Sequence, residues 1–339
     1  MIELHNDRLV FSFPEVHPRA KLTISFQRTL RIPDDGNDYP LPPGLGNFPL
    51  KQVDDFAESI PEKWLQHGGV MLPMYQSEAL WLSFDSDYIN NQGVYPFAVK
   101  IATGKINAIT GRSWRNKLNK TVQNYLVIPE QPWLDGYCVE KGFIRQFVAM
   151  PLGSGYSAEE QITGKAKHGG MQIIVYPMKR AVFEKLFPVR KETFAYHACD
   201  NMAAPPSTSE MGLAPGGRMR QEIYDDPYGF DAWETNDRSR CFVHIANSLV
   251  WRAITKSEPP TVPLSAKEYT DYGFPWFEYY SDDSKAINGS SILKGMKSIT
   301  EKAKKKKDKP LPENESVNPV NIKKIRKKLK NNQVREGIF

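Results

Sequence analysis

Cysteine is scarce in this chain: Cys138, Cys199 and Cys241 are the only three in 339 residues. So small and odd a number builds no disulfide framework, which excludes a stapled secreted scaffold and predicts a reducing, cytoplasmic setting. Long apolar runs are missing too. The richest, such as Met171–Tyr176, are strand-sized, well short of the roughly 18–20 residues a membrane-spanning helix needs. The opening Met1–Asp7 has no basic stretch followed by an apolar one, so no signal peptide is expected. There is no Gly-x-Gly-x-x-Gly after a strand and no Gly-x-x-x-x-Gly-Lys, so no nucleotide cofactor is expected. His67-Gly68-Gly69 resembles an esterase oxyanion segment, but no Gly-x-Ser-x-Gly supplies its nucleophile.

Charge of one sign is confined to one end. Residues 289–339 hold fifteen Lys or Arg against five Asp or Glu, a net of +10, whereas residues 1–288 carry −4. Of 39 aromatic residues only Phe339 lies in that last stretch. The composition predicts a single globular domain over 1–288 and, over 289–339, a polybasic linker with a short amphipathic helix. Only the tail is expected to seek polyanions.

Within 1–288 the pattern is one of short strands. Lys21–Leu30 alternates, with Leu22, Ile24 and Phe26 on one side, as a half-buried strand does. Val70–Leu72, Glu78–Phe84, Asn124–Ile128, Gly142–Met150, Met171–Tyr176 and Arg240–Ile245 read likewise, and Thr103-Gly104 joins two strands as a hairpin. Short helices are expected at Val53–Leu65, after Ser157, at Arg180–Phe187, at Asn247–Ile254 and after Ser265. Ala203–Tyr228, with Pro205-Pro206 and Ala214-Pro215-Gly216-Gly217, reads as a long loop. The fold class is therefore α+β, mainly antiparallel sheet with a few short helices. One faint repeat is present: His67-Gly68-Gly69 and His168-Gly169-Gly170 each precede an apolar strand.

The densest polar and aromatic segment is Gln131–Tyr137, followed by Glu140 and Arg145. Trp133 and Tyr137 offer flat faces for a sugar or a base, and Arg145 and Glu160 offer charge, so these four are the candidate ligand-binding residues. Asp135, Glu140 and His168 are the candidate acids and bases, since an imidazole near a carboxylate can move protons near neutral pH. The plain alternative is that Trp133 is core, Asp135-Gly136 a turn, and Glu159 and Glu160 the first turn of a helix. Arg218 and Arg220 beside Gly216-Gly217 could meet a phosphate, though Gly and Pro punctuate loops first. His197, Cys199, Cys241 and His244 form a zinc-type ligand set without a compact Cys-x-x-Cys knuckle, and no metal site is expected. Asp34, Asp35, Asn37 and Asp38 miss the calcium-loop spacing and read as a turn.

In the tail, Lys304, Lys305, Lys306 and Lys307 belong to a lysine run that should repel itself and extend. Asn318-Pro319 then starts a basic amphipathic helix, with Ile322, Ile325 and Leu329 on one side and Lys323, Lys324, Arg326, Lys327 and Lys328 around them. Without aromatic rings to stack bases, these lysines and Arg326 would contact a polyanion through phosphate or sulfate alone.

Gln131–Tyr137, Gln146–Gly170 and the closing Gln333–Gly337 resemble segments of an uncharacterised bacterial protein family. The resemblance implies a bacterial protein built as one unit and carries no substrate or residue role. Together these readings favour a binding protein for a small ligand or a protein partner, with an electrostatic basic tail. The alternative is a hydrolase or carbohydrate-processing enzyme using the 131–170 polar segment.

Overall fold

The computed structural model describes residues 1–189, 211–280, 284–309 and 314–326. Its mass is two antiparallel-dominated sheets. The first runs Ile2–His5, Arg8–Ser12, Lys21–Thr29, Ala79–Ser86, Phe143–Pro151, Met211–Arg220, Asp38–Tyr39. Trp133–Leu134, Gly136–Glu140 and Gly44–Asn47 pair onto it as side strands. The second runs Ile106–Asn107, Phe97–Thr103, Met171–Pro177, Ser239–Asn247, Val70–Met74, Lys51–Gln52, with Leu126–Ile128 beside Phe97–Thr103. The expected α+β class is what is found. Alternation explains the strands: Leu22, Ile24 and Phe26 are fully buried while Lys21 is exposed.

One apolar cluster joins the sheets, with Leu22, Leu82 and Phe147 from the first and Phe97, Val99, Ile173 and Val175 from the second. The Tyr137 hydroxyl crosses between them, 2.7 Å from Thr103 Oγ1 and 2.9 Å from the Leu213 carbonyl oxygen. Helices Glu62–His67 and Ser248–Thr255 close one end of the second sheet through Trp64, Met71, Ala246 and Trp251. No helix among the described residues is long and apolar enough to cross a membrane.

Of the expected loop Ala203–Tyr228, residues 203–210 lie outside the described residues, and Met211–Arg220 is a ten-residue strand with a neighbour on each side. Its glycines serve close approach. A Cβ on Gly217 would lie 2.3 Å from the Pro33 carbonyl oxygen, and one on Gly216 would lie 2.6 Å from a Val148 methyl. Val53–Leu65 is likewise divided, into a 3₁₀ turn at Asp54–Phe56 and the helix Glu62–His67.

The basic segment is ordered where it is described. Ile299–Lys306 is a helix, not an extended run. Ser298 and Glu301 form a capping box at its start, Ile299 and Ala303 are buried against Val148, Met150 and Ala214, and the lysines gather at the end its dipole favours. Ile322–Arg326 is a strand, parallel to Trp276–Tyr280, rather than the expected helix. Ile322 and Ile325 sit at a helical spacing, which in a strand puts them on opposite faces, and pairing along the edge of Trp276–Tyr280 gives the extended form. Leu329, Lys327 and Lys328 lie outside the described residues.

The faint repeat has a structural counterpart. Val70 and Met171, each directly after a His-Gly-Gly, both pair with Val243 from opposite sides of the same strand. A Cβ on Gly69 would meet the Phe242 carbonyl oxygen at 2.1 Å, and one on Gly170 the Val243 carbonyl oxygen at 2.5 Å. Both glycines also have positive φ. Two entering strands thus crowd one central strand at the same level, which requires glycine on each side.

Candidate functional site

A cleft of about 170 Å³ opens where three distant segments meet. Gly142 precedes and Phe143 begins one strand, Arg220, Gln221 and Glu222 leave the end of its neighbour, and Phe277, Glu278 and Tyr279 come from the strand that pairs with the tail. The rings of Phe143, Phe277 and Tyr279 are half-buried. Trp133 packs edge-on against Tyr279, with centroids 4.7 Å apart, and against Trp81 at 6.3 Å. Burial, and then the charge of Glu130, push the Tyr279 phenol up from its ordinary value.

Charge at the cleft is unevenly satisfied. Glu278 Oε1 lies 3.5 Å from Arg220 Nη1, and Oε2 lies 3.8 Å from Lys324 Nζ of the tail strand. Gln221 faces inward: its Nε2 donates to Asp135 Oδ2 at 2.5 Å, and its Oε1 accepts the Asp135 N–H at 3.1 Å. Asp135 is 2 % exposed, and burial pushes its carboxyl up to about 7 against the opposing Gln221 hydrogen bond. It therefore sits one residue behind the cleft wall.

The remaining residues singled out from the sequence are spread over other neighbourhoods. Glu140 accepts from Lys294 Nζ at 2.9 Å and Arg218 Nη1 at 3.1 Å, and these two cations, Lys294 first, hold its carboxyl below the usual range. The ring of Tyr137 lies in the core between the sheets. Arg145 Nη1 is 3.7 Å from Asp34 Oδ1 and donates to the Gly216 carbonyl at 3.3 Å, while its Nη2 is 3.6 Å from Glu301. Glu160 is spent on its capping box, accepting from Ser157 Oγ at 2.6 Å and Gly155 N at 2.7 Å. His168 belongs to a turn folded around buried Glu159, whose carboxylate accepts the N–H groups of Lys167, His168 and Gly169. Burial and then Lys105 lower the His168 imidazole, which Glu159 only partly offsets. His168 and Asp135 share no hydrogen-bond partner among the described residues.

Arg218 is engaged by Asp38 at 2.7 Å and Glu140 at 3.1 Å, with its guanidinium 4.5 Å from the Phe143 ring centre. His244 Nε2 is 3.1 Å from the Gly68 carbonyl oxygen, and burial pushes its imidazole down to about 3. Cys241 is buried, with its thiol pushed up to about 12. His197 and Cys199 lie outside the described residues. Asp35 accepts from Tyr39, Ser316 and the Asn37 N–H as a turn carboxylate does.

On the tail helix, Lys304, Lys305 and Lys307 are exposed, while Lys306 donates to the Ser154 carbonyl at 2.7 Å and lies 4.9 Å from the Tyr156 ring centre. Lys323 and Lys324 are exposed on the tail strand, and the Arg326 backbone pairs with Tyr280. Comparison of the chain with protein-family models, with curated proteins and with solved structures finds no match.

The sequence pointed to Trp133 and Asp135, which form the backing of the cleft. It did not point to Glu222, Glu278, Phe277 or Phe143. These lie far apart along the chain, and no local spacing joins them.

Proposed function

We propose that this chain is a binding protein whose cleft at Phe143, Arg220, Glu222, Phe277, Glu278 and Tyr279 receives a small polar group. The observation that carries the reading is the cleft itself: three aromatic side chains and three charged ones around about 170 Å³. That is below the roughly 300 Å³ of a typical small-molecule pocket, so it suits one ring or one side-chain head rather than a whole large ligand.

The hydrolytic reading has less support. Hydrolysis needs a proton donor and a proton acceptor on one bond. Glu278 is engaged by two cations, Asp135 stands behind Gln221, and His168 sits in the Glu159 turn. The exposed lysines at 304, 305 and 307 and at 323 support attachment to a polyanion or an acidic partner as a second, sequence-independent contact. Buried, unpaired Cys138 and Cys241 are consistent with a reducing cytoplasm.

Ligand-observed NMR with single-ring fragments (sugars, nucleosides and amino-acid amides) tests the reading. Binders should appear and be lost in Tyr279→Ala. Absence of any binder, or binding indifferent to that substitution, would refute it.

A further inference from the structure

We infer that the group received by the cleft is a cation, an ammonium or guanidinium head held by Glu222 against the rings of Phe277 and Tyr279. The inference rests on the cleft being a binding site and adds the chemical class of what enters it. Its first support is the charge lining the walls. Two acidic residues, Glu222 and Glu278, line the cleft with one arginine, Arg220. Arg220 is already directed at Glu278, and Lys324 approaches the same carboxylate from the tail strand. Glu222 is half-buried as a residue and forms no ion pair among the described residues. An entering cation would give Glu222 a partner while Arg220 and Lys324 stay with Glu278. An entering anion would instead meet Glu222 and compete with Glu278 for Arg220.

The second support is the walls themselves. Aromatic faces carry negative potential and attract cations at close range. The molecule uses this combination elsewhere, at Arg28 with Phe48 and Glu78 and at Lys120 with Phe230 and Asp231, and again at the rim of the same cleft. There the Arg218 guanidinium lies 4.5 Å from the Phe143 ring centre while Asp38 and Glu140 close on it as carboxylates. Phe277, Tyr279 and Glu222 repeat the rings and the carboxylate, and the cations at this cleft, Arg220 and Lys324, are directed at Glu278. The third support is size. About 170 Å³ admits a trimethylammonium or guanidinium head while the rest of the ligand stays outside.

The test uses the full chain and matched pairs differing in charge and little else: choline against 3,3-dimethylbutan-1-ol, and N-acetyl-arginine methyl ester against N-acetyl-citrulline methyl ester. Affinities from titration calorimetry should favour the cation at least tenfold in each pair, and Glu222→Gln should bring the cation to the level of its neutral partner. Neutral members binding as tightly as the cations would overturn the choice of cation while leaving the cleft as a binding site. The choice of cation falls equally if neither pair binds but other single-ring fragments do. If no fragment of any kind binds, both readings fall. Should Glu222→Gln alter the thermal midpoint, the isostere ratio in the unaltered chain decides alone.

Discussion

Asp135 shows how a residue can be conspicuous in a sequence for a reason the sequence does not contain. An aspartate beside a glycine and two aromatics reads as a turn or as a catalytic acid. Here it is a buried carboxyl tied twice to Gln221, 86 residues away. Its carboxyl is raised to about 7, above the ordinary 3.8. Between those values the folded chain keeps a proton that the unfolded chain has released. Stability at this site therefore falls as pH rises from about 4 to about 7 and levels off above. Asp135→Asn retains an acceptor for Gln221 and removes the titration. Urea unfolding at pH 4.5 and 7.5 should show the unaltered chain losing roughly 1–4 kcal/mol more than the variant across that interval. Equal losses would mean that Asp135 ionises freely in the folded state. Trp133 was legible as a candidate surface, but its partner Tyr279 was not, because nothing local to either residue reports their meeting.

Strands with clear alternation, such as Lys21–Thr29, were legible because burial on one side writes itself into every second residue. Met211–Arg220 was not. Its Pro and three Gly mimic a loop, while the physical demand is for absent side chains where Pro33 and Val148 press close. Gly217→Ala puts a methyl group 2.3 Å from a backbone oxygen. It should lower the urea midpoint by the equivalent of about 1–3 kcal/mol, and an unchanged midpoint would show that the strand has room to shift. The tail strand failed for the opposite reason. Ile322 and Ile325 fit a helical stripe, and only the edge offered by Trp276–Tyr280, more than forty residues upstream, selects the extended form.

Over the whole molecule, composition and packing divide the chain differently. Charge and aromatic content change near residue 288, yet burial runs past it: Leu293, Met296, Ile299 and Ala303 are all at most 4 % exposed. Asn314 holds the later stretch to the body, bonding the Asp34 N–H at 2.9 Å and Thr300 Oγ1 at 2.8 Å. A chain ending at 288 would uncover Val148, Met150 and Ala214 on the first sheet and the edge of Trp276–Tyr280. It should melt at lower temperature and bind a hydrophobic dye, whereas a truncated chain as stable as the full one would make the tail an accessory. The α+β class was readable because it needs only many short alternating segments. The cleft was not, because it exists only once the ends of three strands are brought together.

The most direct test of the account is a map of backbone amide shifts on adding the tightest-binding cation. The account predicts movement confined to Gly142–Phe143, Arg220–Glu222 and Phe277–Tyr279, with Asp135 following through Gln221. Movement centred on His168 and the Glu159 turn, with the cleft unmoved, would contradict it.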